Sequence, residues 1–122
     1  MTELLKTTEA KTRKTRKLAR LQRLNVDEIV YAKSVINYTE LKMVSGDAYL
    51  VSKTLKEVED YLPPHKFFRV HKSYMVGVSF LDGLQVHEEP CVKLTTGECI
   101  PLSRRRKEEF LSFLRIIRPQ LT

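Results

Sequence analysis

The segment FFRVHKSYMVG, residues 67–77, decides how the rest of the chain is interpreted. Its two ends, 67–70 and 74–76, are rich in aromatic and apolar residues, which favour β-strands. Between them lie His71, Lys72 and Ser73, hydrogen-bonding side chains that the packing of a core does not require. The segment therefore predicts two strands joined by a polar crossing that has another role.

Strand patterns also precede this segment. Residues 39–44 alternate polar and apolar side chains, as expected for a half-buried strand. Gly46-Asp47 then indicates a turn, after which residues 48–51 return as the partner strand. A short apolar run at 29–31 has the composition of a strand core. The first half of the chain is therefore predicted to be mainly β.

Residues 54–62 change from strand to helix periodicity. Thr54 followed by Glu57 matches a capping box, which satisfies backbone N–H groups at the start of a helix. Pro63-Pro64 ends the helix, because proline lacks the N–H that a continuing helix needs. The apolar face of this predicted helix consists of Leu55, Val58 and Leu62.

The last third of the chain predicts two hairpins, each with a glycine-containing turn between apolar strands. They comprise residues 78–81 and 84–87 around Asp82-Gly83, and residues 92–94 and 99–102 around Thr96-Gly97. Ser103 can cap a closing helix that Pro119 would stop. The apolar face of that helix consists of Phe110, Leu111, Leu114 and Ile117. The predicted fold class is mostly β, with two short helices.

Composition limits the chain to one modest domain with a basic character. It has 122 residues, 42% of them apolar, and a net charge of +7. Residues 1–24 contain eight basic and two acidic residues, and Leu18, Leu21 and Leu24 there could begin either a short helix or a first strand. We predict a flexible basic arm at 1–24, or a solvated tail, followed by a domain at 25–118. A polyanionic partner is indicated: nucleic acid, an anionic membrane face or an acidic protein.

A second basic cluster, Arg104–Lys107, follows the predicted cap Ser103. Cations in the first turn of a helix oppose the positive end of the helix dipole, by at most about 0.3–1 kcal/mol each. An anion bound at the helix start would remove that conflict, and free backbone N–H groups there already favour phosphate. The alternative is a solvated first turn that binds nothing.

Several classes of site have no support in the sequence. No apolar run is long enough to span a membrane, and the N-terminus lacks the apolar region of a secretory signal. No catalytic or nucleotide-binding motif occurs, so neither an enzyme nor a cofactor is predicted. His87 and Cys91 form a single weak pair without the spacing of a zinc site. Cys91 and Cys99 are therefore predicted to be free thiols of a cytoplasmic protein.

Three blocks of the sequence resemble the LytTR DNA-binding domain of bacterial transcription regulators. They are EIVYAKSVINYTELK (28–42), TLKEVEDYLPPHKFFRVHKSYMVG (54–77) and KLTTGECIPLSRRRKEEF (93–110), and the similarity covers about residues 26–114. The resemblance implies an elongated arrangement of small antiparallel sheets that reads duplex DNA through loops. It also implies DNA contacts in three segments: Asn37 and Tyr38; His71, Lys72 and Ser73; and Ser103, Arg104 and Arg105.

The sequence thus predicts a cytoplasmic, response-regulator-like protein that binds double-stranded DNA and regulates transcription. Family members usually carry a receiver domain upstream, and the roughly 25 residues before the motif leave no room for one in this chain. Binding to repeated half-sites, which the resemblance implies, would place a second copy on the same operator. The alternatives are an adaptor whose basic faces bind an acidic protein or a membrane surface, and an enzyme with an unrecognised site.

Overall fold

The structure is a computed structural model that describes residues 16–85 and 88–118, and it confirms a mostly β fold with two helices. Within this part of the chain the helices are α1 (Leu55–Tyr61) and α2 (Arg104–Ile117), and neither is long and apolar enough to cross a membrane. The strands are β1 (Arg16–Leu18), β2 (Ile29–Val35), β3 (Tyr38–Met43), β4 (Ala48–Val51), β5 (Phe67–His71), β6 (Tyr74–Gly77), β7 (Leu81–Gln85), β8 (Cys91–Leu94) and β9 (Cys99–Pro101).

The strands form two sheets. The larger has six strands in the order β1-β4-β3-β2-β6-β5, and the smaller has the order β7-β8-β9. All neighbouring strands are antiparallel except β1 and β4, which are parallel. The segment 67–77 forms β5 and β6, as the sequence predicted, but the turn between them has only two residues, 72–73, because His71 is the last residue of β5.

The central strands of the large sheet are buried on both faces. Met75 of β6 belongs to a core between the sheet and α1, which includes Val58. The next residue, Val76, belongs to a second core between the sheet, the small sheet and α2, which includes Val92 and Phe110. The molecule therefore has three layers, with α1 on one side of the large sheet and α2 with the small sheet on the other.

Helix α1 begins with the predicted capping box. The Thr54 hydroxyl accepts from the Glu57 N–H (3.2 Å), and Glu57 Oε1 accepts from the Thr54 N–H (2.8 Å). The second bond holds the pKa of Glu57 below its usual range, because it favours the ionised carboxylate. Leu55, Val58 and Leu62 are buried, as their spacing predicted.

The predicted hairpin around Asp82-Gly83 is wrong. Residues 78–80 form a 3₁₀ helix, and β7 runs straight through Asp82 and Gly83, where its register with β8 shifts. A glycine inside a strand often marks such an irregularity. The second hairpin is confirmed, since Gly97 turns the chain between β8 and β9 with a φ of 105°. His87 and Pro119, used in the sequence predictions, lie outside the described residues.

The described fold begins earlier than the predicted domain boundary at residue 25. Strand β1 lies beside β4, and Leu21 is only 1% exposed in the core next to α1. Residues 16–24 therefore belong to the described fold, whereas residues 1–15 of the predicted arm lie outside the described residues. The leucine spacing left strand and helix open, and the chain forms a strand followed by a 3₁₀ turn at Leu21–Arg23.

The prediction of two free thiols is also wrong. A disulfide joins Cys91 in β8 to Cys99 in β9. The two residues are eight apart in sequence, but the β8–β9 hairpin brings their Cα atoms to 5.8 Å, within the range that a disulfide spans. Linear spacing did not reveal this proximity, which depends on the strand register.

Candidate nucleic-acid interface

The three segments singled out in the sequence meet at one end of the large sheet. The Ser34 N–H donates to the Ser73 carbonyl (2.9 Å), so the β2–β3 turn lies beside the β5–β6 turn. The Ser103 N–H donates to the Val70 carbonyl (2.8 Å), so the start of α2 lies beside the end of β5. We call the surface formed by residues 36–38, 71–73 and 103–105 the loop edge.

The side chain of His71 has a defined orientation within the loop edge. Its Nδ1 accepts from the Ser73 N–H (3.0 Å), and its ring meets the Tyr74 ring edge-on at a centroid distance of 5.7 Å. A neutral imidazole that accepts at Nδ1 carries its proton on Nε2. The Nε2 of His71 is therefore a hydrogen-bond donor.

The turn that carries Lys72 is held from behind by Arg69, which the sequence analysis did not single out. The Arg69 guanidinium donates to the carbonyls of His71 (3.2 Å) and Lys72 (2.6 Å) and pairs with Glu59 of α1 (3.0 Å). Its side chain is only 15% exposed, so these bonds are partly shielded from water. Lys72 itself is exposed. Arg69 thus fixes the backbone of the crossing and leaves Lys72 free to project.

Replacing Arg69 by alanine is expected to loosen the 71–73 turn and lower the free energy of unfolding by about 1–2 kcal/mol, because a partly buried ion pair and two charge-assisted bonds are lost. Hydrogen exchange of the turn amides and urea unfolding measure the two effects. Arg115→Ala is the matched control, since Arg115 is an exposed arginine in the last turn of α2. Turn amides that exchange as slowly in Arg69→Ala as in the wild type would show that Arg69 does not hold the turn.

The polar side chains at the start of α2 have different partners. The Ser103 hydroxyl caps the helix by accepting from the Arg106 N–H (3.1 Å), which leaves its own proton available for donation. Arg104 donates to the Glu88 carbonyl (3.4 Å), and Arg106 pairs with Glu109 (3.7 Å). The side chain of Arg105 is exposed and has no hydrogen bond or ion pair to any residue that the structure describes.

The β2–β3 turn completes the loop edge. Asn37 is exposed and Tyr38 is 40% exposed, so both predicted contact residues are accessible. Ile36, which the sequence analysis passed over, is 89% exposed and has a positive φ of 56°. Ile36 thus adds an exposed apolar side chain to the loop edge, beside the eight predicted contact residues by which this surface was chosen.

A cleft of about 570 Å³ lies at the opposite end of β5 and β6, near Phe67 and Gly77. Its lining includes Asp27 and Lys66, which pair with each other (2.9 Å). Among residues 16–85 and 88–118, no group of three or more His, Cys, Asp or Glu side chains could hold a metal ion. None of the residues that line this cleft belongs to the loop edge, so the two are separate surfaces.

Comparison with known proteins gives three concordant findings. The sequence model of the LytTr DNA-binding domain matches residues 19–115. The sensory transduction protein LytT of Bacillus anthracis is 30% identical over 95 residues, which make up 76% of this chain and 38% of that protein. LytT of Bacillus subtilis (strain 168) is also 30% identical over 95 residues, 76% of this chain and 39% of that protein. The chain thus matches well under half the length of these curated relatives.

A solved LytTr DNA-binding domain from Bacillus cereus has the same fold. The two structures superpose with a TM-score of 0.68 at 22% sequence identity, and the match covers 75% of this chain and 84% of the other. At that identity the likeness concerns the fold alone.

Proposed function

The chain belongs to the LytTr DNA-binding domain family, and on this basis we propose that it binds duplex DNA sequence-specifically and regulates transcription. The observation that carries the proposal is the loop edge. Three segments far apart in sequence present an exposed lysine, an exposed arginine, an imidazole donor and an amide on one surface. These are the groups that proteins use to contact phosphates and base edges.

The start of α2 is proposed to anchor the protein on a phosphate. The first turn of this helix contains no acidic residue, so no carboxylate of its own neutralises the positive end of the dipole. Arg104 and Arg105 add positive charge at the same point. A DNA phosphate there would satisfy backbone N–H groups and the charge of Arg104, which leaves Arg105 for a base edge. The Ser103 hydroxyl proton is a further donor toward the same phosphate.

Base reading is proposed to come from side chains that project farther from the backbone. Arg105 has a planar fork that fits guanine O6 and N7, whereas Lys72 is a point donor to the same atoms. Asn37 can pair with adenine N6 and N7. Three other side chains are proposed to contact either a base edge or a phosphate: Tyr38, His71 and Ser73.

Binding to duplex DNA is expected to weaken steeply with salt, since each phosphate contact releases condensed counterions. With about six phosphates contacted, log K should fall against log salt with a slope of about −5. Equilibrium titrations of one duplex at several salt concentrations measure the slope. A slope near zero on any duplex would contradict the proposal and favour the adaptor.

The adaptor remains the second candidate, because basic faces also attract acidic proteins and anionic membranes. Specificity distinguishes the two functions. A DNA reader should discriminate its operator from a scrambled duplex of the same length and charge, whereas an adaptor should treat both alike. No catalytic step enters the proposal.

Stoichiometry, domain context and location extend the same proposal. A second copy on repeated half-sites would double the number of contacts. The expected absence of a receiver domain stays a prediction, because the chain spans 38% and 39% of two curated relatives. A cytoplasmic location follows from the proposed DNA partner.

A further inference from the structure

Ile36 occupies a backbone conformation that its side chain disfavours. It is one of two residues in the β2–β3 turn, and its φ of 56° is left-handed. Left-handed backbone is adopted readily by glycine and by asparagine, whereas a β-branched residue there is an outlier. The neighbouring Asn37, which would tolerate this conformation, does not have a positive φ. The turn therefore places isoleucine, not asparagine, at the position with positive φ, which is the less favourable arrangement.

The side chain of Ile36 contributes little to the stability of the fold. The side chain is 89% exposed and belongs to neither hydrophobic core. It thus combines backbone strain with an exposed apolar surface. Strain of this kind persists where surrounding structure imposes it, and it is concentrated at functional sites. Residues that contact a partner can carry such a combination, because the apolar surface is buried only in the complex.

The turn lies on the surface that is proposed to contact DNA. Ser34 precedes the turn and bonds to Ser73, so Ile36 lies on the same edge as His71–Ser73. If that edge faces a major groove, the turn tip meets base edges there. The only apolar group that base pairs present in the major groove is the thymine C5-methyl. Asn37, next to Ile36, is suited to adenine, the partner base of thymine.

We infer that Ile36 contacts a thymine methyl group in the major groove and thereby helps to select an A·T base pair. This inference rests on the proposed DNA binding and assigns one position of its specificity. Ile36 is a specificity-determining residue in this account, and the left-handed turn is what projects its side chain beyond the strand ends.

The test replaces each thymine of a selected operator by deoxyuridine, one position at a time, which removes only the methyl group. Wild-type protein should lose about fourfold in affinity at the contacted position, the change expected for one buried methyl group. Ile36→Ala should bind the unmodified operator about fourfold more weakly or worse, and it should no longer distinguish thymine from uracil at that position. Ile116→Ala is the matched control, because Ile116 is 81% exposed on α2 and should keep the wild-type uracil penalty.

Ile36→Gly separates reading from folding. Glycine accepts positive φ without strain, so this variant should melt several degrees above the wild type while losing the thymine preference. The inference is overturned if wild-type protein tolerates uracil at every position. It is equally overturned if Ile36→Ala retains the full uracil penalty, or weakens binding to thymine and uracil operators alike. Absence of any salt-dependent duplex binding would overturn the proposed function itself, and the inference with it.

Discussion

Arg105→Ala is expected to weaken binding to the preferred operator by about 1–3 kcal/mol and to relax base preference at one position, because a bidentate donor to guanine is lost. The structure favours Arg105 over its neighbour for this role. The side chain of Arg104 already donates to the Glu88 carbonyl, whereas the side chain of Arg105 makes no polar contact with the described part of the chain. The measurement is the ratio of specific to non-specific affinity at one fixed salt concentration.

Arg104→Ala serves as the matched control for Arg105→Ala, since it removes the same charge from the same helix turn. It should reduce specific and non-specific binding together, as expected for a phosphate contact. Lys72→Ala should lower the affinity ratio less than Arg105→Ala, because an ammonium lacks the planar fork. An unchanged ratio in Arg105→Ala and Lys72→Ala would show that base reading lies elsewhere.

Phe110→Ala is expected to lower the free energy of unfolding by about 3–5 kcal/mol, the range for truncating a fully buried phenylalanine. Phe110 is 0% exposed and packs against Phe68 of β5 with ring centroids 5.1 Å apart. This contact fixes α2 on the large sheet. Because Ser103 at the start of α2 belongs to the loop edge, loosening the helix should also weaken DNA binding.

Urea or thermal unfolding measures the effect of Phe110→Ala, with both proteins in the same redox state. Ile116→Ala in the same helix is the control, and as an exposed position it should change stability by no more than about 0.5 kcal/mol. A loss of less than about 1 kcal/mol for Phe110→Ala would contradict this prediction. It would mean that the surrounding side chains move in to fill the cavity far more completely than is usual around a truncated, buried phenylalanine.

Local signals in the sequence were sufficient for much of the fold. The alternation in 39–44, the capping box of α1 and the Thr96-Gly97 turn each depend on residues close together in the chain, and each was predicted. The polar crossing at 71–73 could also be predicted from the sequence, because polar side chains interrupt two strands there. Signals of this kind need no knowledge of tertiary contacts.

Features that depend on strand register or on distant contacts were not predictable. Arg69 reads as one more strand residue until α1 brings Glu59 within 3.0 Å of it. The disulfide needs the β8–β9 pairing, and the irregularity at Gly83 needs the β7–β8 pairing. The strain at Ile36 is visible only as a backbone angle. The sequence could place residues in segments, but the topology decided which segments share an edge.

Selection of bound sequences from random duplex DNA tests the central claim most directly. We expect enrichment of one motif that contains a G·C pair dependent on Arg105 and an A·T pair dependent on Ile36. If two copies bind, the motif should recur at a spacing of about 10–10.5 base pairs or a multiple of it. Recovery of sequences no different from the starting pool, from protein shown to be folded, would contradict sequence-specific binding by this chain.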